Sequence, residues 1–355
     1  MGVYIIAEAG VNHNGSLQTA LSLVDVAAEA GADAMKFQTF TAERLIRRNT
    51  PKAQYQKQTT GMEESQYEML SRLELSLPDH EELLERCVER GIDFLSSPFD
   101  EESLDFLVDR LGLKTIKFGS GEITNGPLLL HAAKKNVSLL VSTGMSTLGE
   151  IETALSCLAF GYLGIQDSPS LDRFLQAYAS PSGREVLEEK VTLLHCTSEY
   201  PALEEDVNLR AIGTLNSAFG LPIGYSDHTA GTIVAAAAVA LGASVVEKHL
   251  TLDRTLPGPD HRASLPPDEF GRMVQQIRTV EKALGSTRKT VSSCEWDNRR
   301  LVRKSLVAKK AISRSEIIQS EHLEAKRPGD GISPMEYWRL LGTSMATPRH
   351  EGENI

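Results

Sequence analysis

A (β/α)8 barrel followed by a small β-rich C-terminal unit is the architecture this sequence predicts, on three observations. Eight short apolar runs recur within residues 1–285, separated by longer segments of helical period. Every run ends in polar or charged residues, as barrel strands do at the mouth that carries the chemistry. Beyond residues 286–296 the rhythm stops and only short runs follow.

The expected strands cover residues 3–7, 33–38, 93–97, 115–119, 138–142, 191–195, 222–226 and 244–249. Amphipathic helical patterns fall at 16–30, 79–90, 101–111, 148–160, 209–218, 232–241 and 267–284. Short apolar runs alternating with such segments indicate βα units around a parallel sheet. Eight units in 285 residues fit a closed barrel better than an open doubly wound sheet. The lack of a Gly-x-Gly-x-x-Gly turn after the first run argues against a dinucleotide-binding fold. Residues 42–67 are polar, with Arg44, Arg47 and Arg48, and read as a long loop above strand two. Residues 162–190 read as an insertion between units five and six. The expected division is a barrel over 1–285, a linker over 286–296 and a small domain over 297–355 that needs a larger surface to dock on.

Composition narrows the function classes. With 41% hydrophobic and 24% charged residues in 355, the chain can bury a sizeable core. A net charge of −11 argues against nucleic acid or an anionic membrane as the partner. Cys87, Cys157, Cys196 and Cys294 are scattered without paired spacing, so they read as reduced thiols. The apolar start, residues 1–9, is short and leads into Asn12-His13-Asn14, which reads as a buried strand and neither a signal peptide nor a span. A cytoplasmic protein is expected.

The strand ends carry the chemistry. Strand one ends in Glu8; strand two carries Lys36 and Gln38 on one face by period-two alternation. Strand three ends in Ser96-Ser97-Pro98-Phe99, strand four in Lys117 and Gly119-Ser120-Gly121-Glu122, strand five in Ser142-Thr143-Gly144. Strand six gives His195-Cys196-Thr197-Ser198-Glu199-Tyr200, strand seven Ser226-Asp227-His228-Thr229, and strand eight Glu247-Lys248-His249 followed by Pro257-Gly258-Pro259-Asp260. Taken singly, each has a bland explanation: a strand lysine snorkels or pairs, and Ser-Gly is turn chemistry. Eight such ends converging on one mouth make an active site. Lys36 and Lys117, with the hydroxyls of Ser97, Ser120 and Ser142 beside glycine-rich turns, suit a phosphate or carboxylate. His228 and His249, on adjacent strands, can share a divalent metal. Glu8, Glu122 and Asp260 are candidates for proton transfer or hydroxyl binding, whereas Glu247 reads as an ion-pair partner of a nearby lysine.

In order along the chain, Glu8-Ala9-Gly10-Val11-Asn12-His13-Asn14-Gly15, Lys36-Phe37-Gln38-Thr39, Ser97-Pro98-Phe99, Lys117-Phe118-Gly119-Ser120-Gly121-Glu122 and Ser142-Thr143-Gly144-Met145 resemble the N-acetylneuraminate (sialic acid) synthase family. So do His195-Cys196-Thr197, Ser226-Asp227-His228-Thr229, Glu247-Lys248-His249, Pro257-Gly258-Pro259-Asp260 and, near the C-terminus, Lys326-Arg327-Pro328-Gly329. The resemblance implies a TIM barrel with a C-terminal antifreeze-like (SAF) domain, assembled as a domain-swapped homodimer. It implies condensation of phosphoenolpyruvate with an N-acylated amino sugar and release of phosphate. On that basis Lys36, Ser97, Lys117, Ser120, Ser142 and Ser226 hold phosphoenolpyruvate, and His228 and His249 bind Mn2+, Mg2+ or another divalent ion. Gln38, Glu122, Tyr200 and Asp260 contact the sugar, Glu8 assists proton transfer, and Arg327 grips the N-acyl end from a second subunit. Ser198 stands where the bacterial sialic acid synthases have asparagine, a version closer to the legionaminic acid synthases, which take a 2,4-diacetamido-2,4,6-trideoxymannose. The rival enzyme is a Schiff-base aldolase acting on pyruvate and an amino sugar through Lys36, Lys117 or Lys248. A carbohydrate-binding protein with an inert barrel is the non-enzymatic rival, and the polar mouth speaks against it.

Overall fold

A computed structural model describes residues 2–52, 56–57 and 64–355. The chain folds as two compact units, Met1–Gly285 and Ser286–Ile355. The first contains eight parallel strands: β1 (Tyr4–Glu8), β2 (Ala34–Thr39), β3 (Asp93–Pro98), β4 (Thr115–Phe118), β5 (Ser138–Ser142), β6 (Val191–Cys196), β7 (Ile223–Asp227) and β8 (Val245–His249). Hydrogen bonding runs in the order β3-β2-β1-β8-β7-β6-β5-β4. β1 thus pairs with both β2 and β8, curling the sheet into a nearly closed barrel, and β3 and β4 lie beside each other at the seam.

Alternation along the strands builds two cores. Inside the barrel, Ile6, Ala34, Leu95, Leu140, Leu194 and Val245 form an apolar plug. Two residues further along the same inward faces stand Glu8, Lys36, Ser97, Ser142, Cys196 and Glu247. The barrel is therefore sealed below by hydrocarbon and polar above. Outward residues such as Ile5, Met35, Phe37, Phe118, Val141 and Val246 pack against the helices in the main core.

The helices follow the sequence signals. Leu77–Arg90 begins at a capping box between Ser76 and Asp79 and ends on Gly91 in the left-handed conformation. Helices Leu17–Glu29, Leu148–Tyr162, Ala211–Phe219, Ile233–Ala240 and Pro267–Leu284 fall at expected segments. Helix Gly126–Lys134, between β4 and β5, was not expected: it buries only Leu128, Leu129, Ala132 and Ala133, too short a pattern to register as a period. Residues 162–190 form two helices, Leu171–Ala179 and Pro181–Lys190, attached through a Phe160–Phe174 edge contact. Of the expected loop over 42–67, the described part contains a short helix, Ala42–Leu45; residues 53–55 and 58–63 lie outside the described residues.

The second unit pairs β9 (Ser305–Ala308) with β10 (Leu323–Lys326) antiparallel over a small core of Ala308, Ile312, Ile318, Leu323 and Met345. Residues 286–296, expected as a linker, belong to this unit, with Ser292 and Glu295 forming a capping box ahead of helix Trp296–Val302. All four cysteines are free. Among the described residues no helix is long and apolar enough to cross a membrane.

Candidate active site

The polar layer opens into a cavity of about 160 Å³ at the carboxyl ends of the strands. Glu8, Lys36, Gln38, Ser97, Lys117, Ser120, Ser142, Tyr200, Ser226, His228, His249 and Asp260 all line it. Three expected residues do not. Glu122 sits in a 3-10 turn, Ser120–Glu122, that carries it away to accept a bond from Asn125 Nδ2 at 2.7 Å. Ser198 lines a neighbouring cavity with Met145 and Thr197. Arg327 belongs to the second unit, where it is exposed on the turn after β10.

Two lysines and two carboxylates dominate the electrostatics. Lys36 Nζ lies 2.5 Å from Glu8 Oε2 and 3.7 Å from Glu247 Oε2, and donates to Ser97 Oγ at 3.3 Å. Lys117 Nζ lies 3.3 Å from Glu247 Oε1. All four groups are buried. Burial pushes the Glu8 carboxyl up, against the pull of Lys36. Burial acts likewise on Glu247, but Lys117 and Lys36 outweigh it and hold that carboxyl low. The Lys36 ammonium is penalised by burial, yet Glu247 and Glu8 keep its pKa raised. The reading of Glu247 as an ion-pair partner fits this placement, but it also puts the carboxylate inside the mouth.

Beside this cluster stand the histidines. The His228 and His249 rings are 5.6 Å apart, and Tyr200 packs 4.2 Å from the first and 5.7 Å from the second, centroid to centroid. Burial lowers His228 to about 4 and takes His249 well below its ordinary value, so both are neutral near pH 7. His228 Nδ1 contacts the Thr197 carbonyl at 2.6 Å, which makes it the protonated nitrogen and leaves the Nε2 lone pair available. His249 Nδ1 is buried without a hydrogen-bond partner. Asp260, pushed up to about 6 by burial, and His249 both close on Gly10, where a Cβ would stand 3.1 Å from Asp260 Oδ2 and 3.0 Å from His249. A neutral imidazole pair with an orphaned buried nitrogen and an adjacent carboxyl fits a divalent cation. No group of three or more His, Cys, Asp or Glu that could hold a metal ion is assembled among the described residues, so the candidate ligands are the two histidines.

Ser142 Oγ is also buried without a partner. Such orphaned polar atoms in a cavity are what a bound polar ligand satisfies. The Ser120 hydroxyl accepts from Gly144 N–H and lies 3.0 Å from Cys196 Sγ. Met69, Leu70 and Gln56 line the cavity without having been expected there, and Cys196 and Phe99, expected at the strand ends but given no role, line it too. Alternation from Leu194 places Cys196 inward and was sufficient to find it. Met69 and Leu70 come from the short helix Gln66–Ser71, and Phe99 from the bend after β3, where the strand period does not apply. Lys248 faces outward, opposite to His249, and pairs with Asp227.

Comparison with known proteins agrees with this geometry. Residues 23–289 match the model of the NeuB family. The chain is 47% identical over 351 residues to the N,N'-diacetyllegionaminic acid synthase of Campylobacter jejuni subsp. jejuni, covering 99% of this chain and 98% of that one. It is 46% identical over 355 residues to the enzyme of the same description from Legionella pneumophila subsp. pneumophila, covering 100% and 94%. A solved structure of N-acetylneuraminic acid (sialic acid) synthetase from Leptospira borgpetersenii, in complex with citrate, matches with TM-score 0.68 and 33% identity over 84% of this chain and 90% of that one. The chain belongs to the NeuB family.

Proposed function

We propose that this protein condenses phosphoenolpyruvate with an N-acylated amino sugar, releasing phosphate, and that the sugar is a 2,4-diacetamido-2,4,6-trideoxymannose. The observation that carries the reading is the buried pair Lys36 and Lys117, held open around Glu247 and ringed by serine hydroxyls. Phosphoenolpyruvate brings a phosphate and a carboxylate, and two fixed ammonium groups in a dry mouth answer both. The legionaminic acid synthases among the relatives favour the diacetamido sugar over N-acetylmannosamine.

In the proposed reaction, C3 of the enol attacks the C1 aldehyde of the open sugar. Water adds at C2, and the tetrahedral centre then loses phosphate by C–O cleavage to leave the 2-keto acid. Lys36, Lys117 and the hydroxyls of Ser97, Ser120, Ser142 and Ser226 hold the phosphate and carboxylate throughout. Glu8, raised by burial and beside Lys36, moves the proton between the incoming water and the products. Gln38, Tyr200 and Asp260 contact the sugar, while Glu122 and Ser198 stand outside this cavity, Ser198 in the neighbouring one. His228 and His249 would hold Mn2+, Mg2+ or another divalent ion. Bound there, such an ion supplies Lewis-acid polarisation of an aldehyde oxygen. The second unit is read as an antifreeze-like (SAF) domain in a domain-swapped homodimer, where Arg327 serves the other subunit's site, and the protein as cytoplasmic.

A Schiff-base aldolase needs an uncharged lysine. Lys36 is kept charged by two carboxylates, and Lys248 points out of the barrel. The deciding assay is phosphate release from phosphoenolpyruvate with Mn2+, comparing the diacetamido sugar with N-acetylmannosamine. Preference for the first supports the reading; preference for the second moves the enzyme to the sialic acid branch, and release with neither refutes it.

A further inference from the structure

Directly behind the two histidines, on the outer face of β7 and β8, lies an ion pair that the reaction does not use. Asp227 Oδ2 and Lys248 Nζ are 2.9 Å apart, and both side chains have 0% exposure. The residues are partners in the parallel register, one step beyond Ser226 and Glu247. Each is followed by a histidine: His228 continues from β7, and His249 ends β8.

The pair grips the backbone around His228. Asp227 Oδ1 accepts from Thr229 N–H at 2.9 Å, from the Thr229 hydroxyl at 2.8 Å and from the Tyr225 hydroxyl at 3.2 Å. Lys248 Nζ donates to the Thr229 carbonyl. Thr229 is thus held through its amide, hydroxyl and carbonyl by two side chains from neighbouring strands. His228, between Asp227 and Thr229, has its backbone fixed on both sides. Because Lys248 belongs to β8, the same contacts tie that segment to the strand that carries His249.

We propose that Asp227 and Lys248 are positioning residues that set His228 against His249 as metal ligands; this rests on the reading of those histidines as the divalent-ion site. Stability alone is a poor account of the pair. Two charges withdrawn completely from water recover the cost of desolvation only with very good geometry, and apolar replacements of similar volume are often neutral or stabilising. What an apolar pair cannot supply is the directional hold on Thr229. Groups that orient metal ligands from behind typically change metal affinity by about 10–100-fold when removed.

The test is Mn2+ binding to the substrate-free protein, read from the electron paramagnetic resonance of free Mn2+, with Tm measured in parallel. The double variant Asp227→Leu/Lys248→Met removes both charges and is expected to keep Tm within a few degrees while Mn2+ binds about 10–100-fold more weakly. Should that variant fold poorly, Asp227→Asn retains an acceptor for Thr229 and is expected to lose about tenfold in Mn2+ affinity. Unchanged affinity in either folded variant overturns the proposal. So does a loss of affinity that appears only together with a collapse of Tm, because the pair then serves folding alone. Absence of Mn2+ binding by the unsubstituted protein, or unimpaired binding by His228→Ala, overturns the metal-site reading itself and the positioning role with it.

Discussion

Ser226 Oγ donates to Glu247 Oε1 at 2.8 Å across the boundary between β7 and β8. The bond aims the Glu247 carboxylate into the mouth, where it reaches Lys117 on β4 across the barrel and Lys36 on β2. In the substrate-free protein that carboxylate supplies the negative charge that two buried ammonium groups require. An arriving phosphate or carboxylate meets lysines that are already desolvated and fixed in place, so little reorganisation accompanies binding.

Glu247→Gln leaves Lys36 paired with Glu8 and takes from Lys117 the carboxylate it pairs with. Breaking a buried pair by removing one member costs about 3–5 kcal/mol, so a marked fall in Tm is expected. Inorganic phosphate should restore part of the loss, giving a larger phosphate-induced rise in Tm than in the unsubstituted protein. Equal rises in both would show that the lysines do not form the anion site.

Lys117→Met separates anion binding from sugar binding. Among the described residues Lys117 ion-pairs with Glu247 alone, whereas Lys36 has two carboxylates and Ser97. Loss of one buried charge contact to an anionic ligand costs about 2–5 kcal/mol. The KM for phosphoenolpyruvate should therefore rise at least 30-fold, with the KM for the sugar changing little. A rise confined to the sugar would reassign Lys117 to the other substrate.

Gly144 holds the wall between the mouth and the neighbouring cavity. A Cβ at this position would stand 2.4 Å from Ser198 Oγ, 2.8 Å from Ser120 Oγ and 2.9 Å from Cys196 Sγ. Gly144→Ala must displace Ser120, whose hydroxyl accepts from the Gly144 amide at 3.0 Å. Overpacking of this kind costs about 1–3 kcal/mol. Steady-state kinetics should show kcat/KM reduced at least tenfold, and Ser120→Ala in the same background should add little, since the two changes act on one hydroxyl.

Much of the barrel was legible because strands buried on both faces read as short continuous apolar runs, and eight of these recur within residues 1–285. Ile5, Ile6 and Ala7 are all buried, yet alternation still separates the plug residue Ile6 from the outward Ile5 and Ala7. The same rule assigns His249 to the mouth and Lys248 to the outside. What it could not supply is where the chain goes after the strand ends. Glu122 lies four residues beyond β4, in a turn whose direction depends on Asn125 capping the next helix. Phe99, Met69 and Leu70 reach the mouth from loops and a short helix, through tertiary contacts that no local pattern encodes.

His13 is buried against Phe37, and burial, reinforced by the nearby charge of His80, lowers it to about 4. In the unfolded chain a histidine titrates near 6.5. A depressed histidine leaves the unfolded state with more bound protons between those values, so its contribution to stability is complete above pH 6.5 and is lost as pH falls toward 4. A shift of that size corresponds to about 3 kcal/mol at the acid end. His80 and His261 are lowered by burial as well and act in the same direction. The raised carboxyls of Asp260 and Glu122 act in the opposite sense over part of the range, so the total slope mixes both. The difference between the unsubstituted protein and His13→Asn isolates one group, because asparagine can still accept from the Gly15 amide that His13 Nδ1 meets at 3.0 Å. Urea melts at pH 7.5 and pH 5 should show the variant losing less stability on acidification. Parallel losses in the two proteins would mean that His13 takes up its proton in the folded state as readily as in the unfolded one.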